Sequence, residues 1–209
     1  RDKTPMQTFT CRLSSLSPYS QSYYFSTAKP LKMKPDEFDE LYWREHTHVV
    51  KSGPQAGHMV IPAQHFKNAL AEVAKYLSVR IAGKGQSTYS KNFRAGVLVP
   101  SDLILPVKVA QKTGLPDPDE VAAGLDVPCE AVMCAADGKP GSAKKVKRHF
   151  PIVNQWAGDV TFLVVDETID EATFVTHLRH AGQMIGIGRW RPINNGRYGR
   201  FLLDSYTVS

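Results

Sequence analysis

The sequence predicts an α+β fold: a ferredoxin-like (RRM-like) antiparallel sheet with helices on one face and an inserted, loop-rich subdomain. Three observations lead there. The segment "DVTFLVV" has the β-branched content of a buried strand, and "TIDEATFVTHLRHAGQMI" after it repeats Phe174, Val175, Leu178, Ala181 and Ile185 at helical spacing. Upstream, "IPAQHFKNALAEVAKYLSV" places Phe66, Ala69, Leu70, Val73 and Leu77 on one helical face. Each helix leads through a basic, glycine-containing loop to a further apolar strand. Two such strand, helix, loop and strand units pack as one sheet covered on one side.

Taken in order, "MQTFTCRLSSLSPYSQSYYFS" alternates loosely and reads as a strand plus a loop, and "KPDEFDELYWREHTH" as a short acidic helix or an ordered loop after Pro35. Pro62 stands where the first long helix can begin. Behind that helix, "IAGKGQSTYSKNF" is a loop, and "RAGVLVPSDLILPV" gives two apolar runs, broken by Pro100 and Asp102, that suggest a strand or hairpin. Prolines, glycines and acids then accumulate, which marks an insertion at 106–158 within a single domain spanning 1–209. Inside it "VPCEAVMCAA" is a strand and "RHFPIVNQW" an extended segment. In the last helix Thr168 and Glu171 stand at capping-box spacing, Gly186 and Gly188 end it, and "GRFLLDSYTV" alternates as a closing strand.

The bulk composition excludes several classes. With 42% hydrophobic and 22% charged residues over 209 positions, the chain has the composition of a globular protein with one substantial core. No apolar run is long enough for a membrane span, and no signal pattern opens the chain, so the expectation is a cytoplasmic protein. Cys11, Cys129 and Cys134 do not make a disulfide framework, and the spacing of the last two is not a common metal spacing. His46 and His48 form an HxH pair near Glu45 and His58, but a well-spaced third and fourth ligand are missing. No metal and no cofactor are expected. Asp102, Asp137 and Asp159 stand beside turn signals that explain them without catalysis.

The formal charge of +6 favours an anionic partner, and its distribution is more informative than its total. Thirteen of the 26 basic residues fall in three segments without an acid: one with Arg80, Lys84, Lys91 and Arg94, one with Lys139, Lys144, Lys145, Lys147 and Arg148, and one with Arg189, Arg191, Arg197 and Arg200. Such segregation suits a surface with one anion-binding side. The third segment, "GIGRWRPINNGRYGRF", adds glycines and aromatics to its arginines. Gly186 and Gly188 permit close backbone approach, Arg189, Arg191 and Arg197 supply paired donors to phosphate, and Trp190 or Tyr198 can stack on an exposed base. It lacks GxxxxGK[ST], and it follows a helix where a dinucleotide fingerprint would follow a strand, so single-stranded nucleic acid fits better than a nucleotide. A plainer reading has the glycines only ending the helix, with Trp190 in the core and the arginines solvated.

Three features together, "LSPYSQS", "VIPAQHFKNALAEVAKYL" and "GIGRWRPINNGRYGRF", resemble the RAMP superfamily of CRISPR effector proteins, in particular the backbone subunit that polymerises along the guide RNA. The resemblance touches about a third of the chain; the glycine usual after "IP" is Ala63 here. It implies a non-catalytic protomer that contacts guide RNA through Lys67, the loop around Lys84 and Lys91, and Gly186, Gly188, Arg189 and Arg191. Further copies of itself and other effector subunits are the implied partners. The segment from Lys139 to Arg148 is the candidate for that family's thumb insertion. Two alternatives use the same residues. A metal-independent RNA endonuclease of this superfamily would employ His180, three residues from His177, as general acid or base. A viral assembly protein would turn the basic loops toward packaged nucleic acid.

Overall fold

The computed structural model describes residues 6–24, 26–135 and 143–209; Asp137 and Lys139 lie outside them. In chain order the strands are β1 (Gln7–Ser15), β2 (Tyr19–Ser20), β3 (His58–Ile61), β4 (Val97–Leu98), β5 (Leu103–Lys108), β6 (Cys129–Ala135), β7 (Lys145–Val153), β8 (Ala157–Val164) and β9 (Phe201–Val208). The helices are α1 (Pro35–Tyr42), α2 (Ala63–Leu77), α3 (Ser90–Gly96), α4 (Pro118–Ala122) and α5 (Glu171–His180). The fold is α+β with antiparallel strand pairing. The chain divides into two compact units, one formed by Arg1–Tyr19, Ile61–Ile104 and Asn154–Ser209, the other by Ser20–Val60 and Leu105–Val153.

The first unit is built on a four-stranded sheet in the order β4-β8-β1-β9. Strand periodicity sends Phe9, Cys11 and Leu13 of β1 to the same buried face as Val160, Phe162 and Val164 of β8, and the register sets Phe9 against Phe162. Both long helices cover this face. Phe66 of α2 meets Phe162 edge-on at 6.5 Å and Phe201 at 6.0 Å, while Phe174 of α5 sits 4.2 Å from Phe9. Burying each such ring contributes roughly 1.5–3 kcal/mol. The opposite face is polar: Thr10 pairs with Thr161 and Thr207, Arg12 lies 3.6 Å from Asp159, and Ser14 donates to Asp204 at 2.9 Å. The buried aromatic residues of β1, β8 and β9 belong to the helix side, and Tyr206 is in register with the buried Cys11, so among the described residues of these strands no ring stands on the polar face.

Three local readings change. Residues 90–93, expected as the end of a loop, and 94–96, expected to open the first apolar run, together form α3, because Phe93 is fully buried and a short helix brings it inward. The N-cap of α5 is Asp170, which accepts from Thr173 N–H at 2.8 Å; the N–H of Thr168 is taken by Asp166 at 2.9 Å, so the Thr168 capping box does not form. Finally, β5 pairs with β3 and β4 with β8, so the two apolar runs after Gly96 are not a hairpin.

The second unit has few long apolar segments and ties its loops with buried charge. Its sheet has the order β2-β7-β6, with β6 and β7 antiparallel from Cys129 opposite Pro151 to Ala135 opposite Lys145. Asp39 of α1 is fully buried and accepts from His149 N–H at 2.5 Å and from an Arg148 guanidinium nitrogen at 3.2 Å, with His46 Nε2 at 3.6 Å. Burial alone would raise the Asp39 pKa, but hydrogen bonds from His46, His149 and Arg148 hold it below the usual carboxylate range. Arg44 and Asp126 form a second buried pair at 2.5 Å.

Candidate nucleic-acid interface

Helix α5 runs into a wider π-helical turn, Ala181–Ile185, closed by the Gly186 N–H donating to Ala181 at 2.8 Å. The segment that follows, 186–200, folds back on itself. Ile187 N–H reaches the carbonyl of Gly199 at 2.9 Å and Tyr198 N–H that of Trp190 at 3.2 Å, while Asn194 and Gly196 both donate to Arg191 at 2.9 Å. Its base is anchored by Gly199 N–H to Pro18 at 2.7 Å and by Leu16 N–H to Arg200 at 2.9 Å.

Two glycines are needed for this closure. Gly186 has φ 73°, and a Cβ there would lie 2.6 Å from Pro192 Cδ; Gly199 has φ 79°, and a side chain there would collide with the Ile187 backbone. The chain itself thus fills the space at Gly186. Gly188, at φ 77°, is half-buried.

The aromatic pair separates in role. Tyr198 is 2% exposed, so it does not present a face for stacking; its hydroxyl accepts from Arg197 at 2.9 Å. Trp190 is 44% exposed and rests edge-on against Tyr198 at 6.0 Å. Its φ of 54° places a bulky residue in the left-handed region. Such strain costs about 1–2 kcal/mol and gathers where a surface has a task. The Arg189 guanidinium sits 5.6 Å from the Trp190 ring centre, and that of exposed Arg197 5.1 Å from Tyr198. Arg191 is committed differently: its guanidinium is 2.9 Å from Glu72 of α2, the two side chains being 21% and 36% exposed.

Beside this pair lies a cleft of about 210 Å³ lined by His65, Asn68, Gly188 and Arg191. His65 Nδ1 is 3.0 Å from the hydroxyl of Tyr19, whose pKa is driven far above the ordinary value by burial and by the nearby Asp102, so Tyr19 stays neutral. His65, Asn68 and Glu72 were not singled out from the sequence. Their i, i+3, i+7 spacing marks them as one polar stripe of α2, and the stripe was visible there.

The remaining candidates belong to other elements. Lys67 points to the other side of α2 and donates to the Val97 carbonyl at 2.6 Å. Lys84 donates to Thr168 at 3.2 Å, and Lys91 and Arg94 are exposed on α3. Thr168 precedes α5 and the arginine loop follows its π turn; the 10 residues of α5 and the 5 of the π turn lie between them, roughly 22 Å at helical rise. Lys144, Lys145 and Lys147 are exposed in the second unit, where Arg148 instead neutralises Asp39. His177 is buried, stacked on Phe93 at 4.4 Å and 2.7 Å from the Thr173 carbonyl, and burial lowers its pKa. His180 Nδ1 lies 2.7 Å from the Thr176 carbonyl. Among the described residues no cluster of three His, Cys, Asp or Glu is placed to hold a metal, and no helix is long and apolar enough to cross a membrane.

No protein-family model and no curated protein matches the chain. Among solved structures, a chain in the cryo-EM structure of the Type III-B Cmr-beta bound to cognate target RNA matches with a TM-score of 0.55 at 11% identity, over 97% of this chain and 60% of that one. The likeness is one of fold. This chain therefore spans about 60% of the length of the protein whose architecture it shares. A chain of a CRISPR RNA-guided surveillance complex matches with a TM-score of 0.41 at 10% identity, over 98% of this chain and 68% of that one.

Proposed function

We propose that this chain is a single-stranded RNA-binding subunit of a CRISPR-type ribonucleoprotein effector complex, holding the guide RNA backbone on the loop 186–200 and assembling with other subunits and with copies of itself. The observation that carries the reading is Trp190: a half-exposed ring held at a strained φ of 54° and flanked by arginines. A ring so placed stacks on any base, and guanidinium groups around it take the adjoining phosphates. The strand order supports a ferredoxin-like core. Counting only the strands of that sheet, the order is second, third, first and fourth, with α2 after the first and α5 after the third.

Filter binding of a single-stranded RNA, its DNA counterpart and the duplex, over a range of salt, tests the proposal. The expected result is preference for the single strand, with affinity falling steeply as salt rises. Equal retention of duplex, or affinity indifferent to salt, would contradict it. Native mass spectra should show RNA-loaded oligomers at integral multiples of the protomer; a strictly monomeric, RNA-bound species would remove self-assembly from the proposal.

A further inference from the structure

A cavity of about 490 Å³ opens on the second unit, and none of its lining residues is among those proposed to contact RNA. Tyr23, Tyr24 and Tyr42 line it, together with Thr47 and Gln111. Tyr24 is 81% exposed, and Tyr23 is fixed edge-on against His48 at 4.6 Å. The volume lies in the range of small-molecule sites, which are mainly apolar with a few placed polar groups.

The charged residues around it are already matched. Arg44 is bound to Asp126 and to the carbonyls of Lys112 and Gly114, at 3.2 and 2.6 Å for the last two. Glu45 accepts from the backbone and hydroxyl groups of Ser26 and Thr27, and Lys112 pairs with Glu120. Among the described lining residues, each charged group is therefore already paired. One polar group is unmatched: Thr47 lines the cavity, is buried, and its Oγ1 has no hydrogen-bond partner among the described residues. A buried orphan hydroxyl is destabilising unless a ligand completes it. The Thr47 oxygen is itself shielded from solvent, so meeting a ligand takes a rotation of about 120° about Cα–Cβ that exchanges hydroxyl and methyl.

We propose that this cavity binds a neutral planar heterocycle with hydrogen-bonding edges, of the nucleobase or nucleoside class. Tyrosine rings supply faces for stacking, Gln111 and Thr47 supply donors and acceptors for the ring edge, and the internal pairing of Arg44, Glu45 and Lys112 disfavours a phosphate or carboxylate. The site belongs to a different unit from the arginine loop and does not depend on what that loop binds.

The test uses the intact chain and the four common ribonucleosides, which carry no phosphate, in equilibrium dialysis alongside inorganic phosphate and N-acetyltryptophanamide. Saturable binding of at least one nucleoside, with phosphate unbound and the indole amide weaker, is expected. Tyr24→Ala, at a largely exposed ring, should weaken that nucleoside about tenfold. Thr47→Val, which removes the hydroxyl at nearly constant shape, should weaken it about fivefold while leaving the melting temperature equal or higher. Failure of all four nucleosides to bind, tighter binding of the indole amide, or unchanged affinity in both variants overturns the proposal; the second outcome would assign the cavity to an aromatic side chain of a protein partner.

Discussion

Glu72 holds Arg191 in the free protein, and removing its carboxylate should make the loop a better RNA binder. The contact is 2.9 Å between groups 21% and 36% exposed. Exposed pairs of this kind have coupling energies of about 0.2–1 kcal/mol, and partial burial of Arg191 puts this one near the upper end. A phosphate that takes the guanidinium nitrogen now given to Glu72 displaces the carboxylate, so the free energy of that contact is subtracted from binding. Glu72→Gln should therefore tighten single-stranded RNA by about threefold to fivefold and steepen the salt dependence by about one counterion. Arg191→Ala should weaken binding about tenfold, and the double variant should match Arg191→Ala alone, because the carboxylate acts through that guanidinium. Filter binding at two salt concentrations reads all three. The control is Glu37→Gln, an exposed acid of the second unit that changes net charge equally. If Glu37→Gln tightens binding as much as Glu72→Gln, or if Glu72→Gln tightens binding in the absence of Arg191, the latch does not exist.

Trp190→Gly should lower affinity for single strands by about 1–3 kcal/mol yet leave the melting temperature unchanged or higher, since glycine accepts φ 54° without strain. Gly199→Ala should do the reverse of a surface change: with φ 79° and no room against Ile187, it should cost about 2 kcal/mol or more in urea unfolding and abolish the loop's binding. Asp39 links stability to pH. Its folded pKa lies below the unfolded one, so its stabilisation is present above about pH 4 and is lost as pH falls through the lowered folded value. Asp39→Asn should flatten that acid limb in a thermal-melt series and cost about 2–3 kcal/mol near neutrality, because Arg148 and the His149 N–H lose their anion.

The elements legible in the sequence are those whose burial follows a simple period. β1 alternates, β8 has the β-branched content of a buried strand, α2 repeats Phe66, Leu70 and Val73, and the structure buries Phe9, Cys11, Leu13, Val160, Phe162, Val164 and these helix residues. What was not legible depends on partners distant in sequence. Nothing local in "PDEFDELY" distinguishes the buried Asp39 from the exposed Asp36, because burial is decided by β7 more than a hundred positions later. The stacking role expected of Tyr198 fails for a similar reason, since the loop closes over that ring and leaves Trp190 outside. The glycines of the loop were legible as positions of close approach, but Gly186 approaches Pro192 and Gly199 rather than open space. Composition identifies that backbone comes near something; only the fold says what.

The position of the loop also decides how it can attract an anion. A phosphate at a helix N-terminus is held by free N–H groups and the positive end of the helix dipole. Loop 186–200 follows the C-terminal end of α5, where the partial charge is negative and where His177, Arg179 and His180 already cluster in the last turn. The dipole opposes binding there, and the peptide N–H groups of Ile187, Asn194, Gly196 and Tyr198 are committed within the loop. The guanidinium groups of the loop are then expected to supply most of the attraction, each exchanging a present contact for phosphate: Arg191 leaves Glu72, and Arg197 leaves the Tyr198 hydroxyl. A site of that kind is sensitive to salt and to each arginine separately, whereas a backbone cradle would survive the loss of any one side chain. Single alanine substitutions at Arg189 and Arg197, each reducing the salt slope by about one, distinguish the two designs; an unchanged slope in both would mean that the anion is held by backbone groups elsewhere.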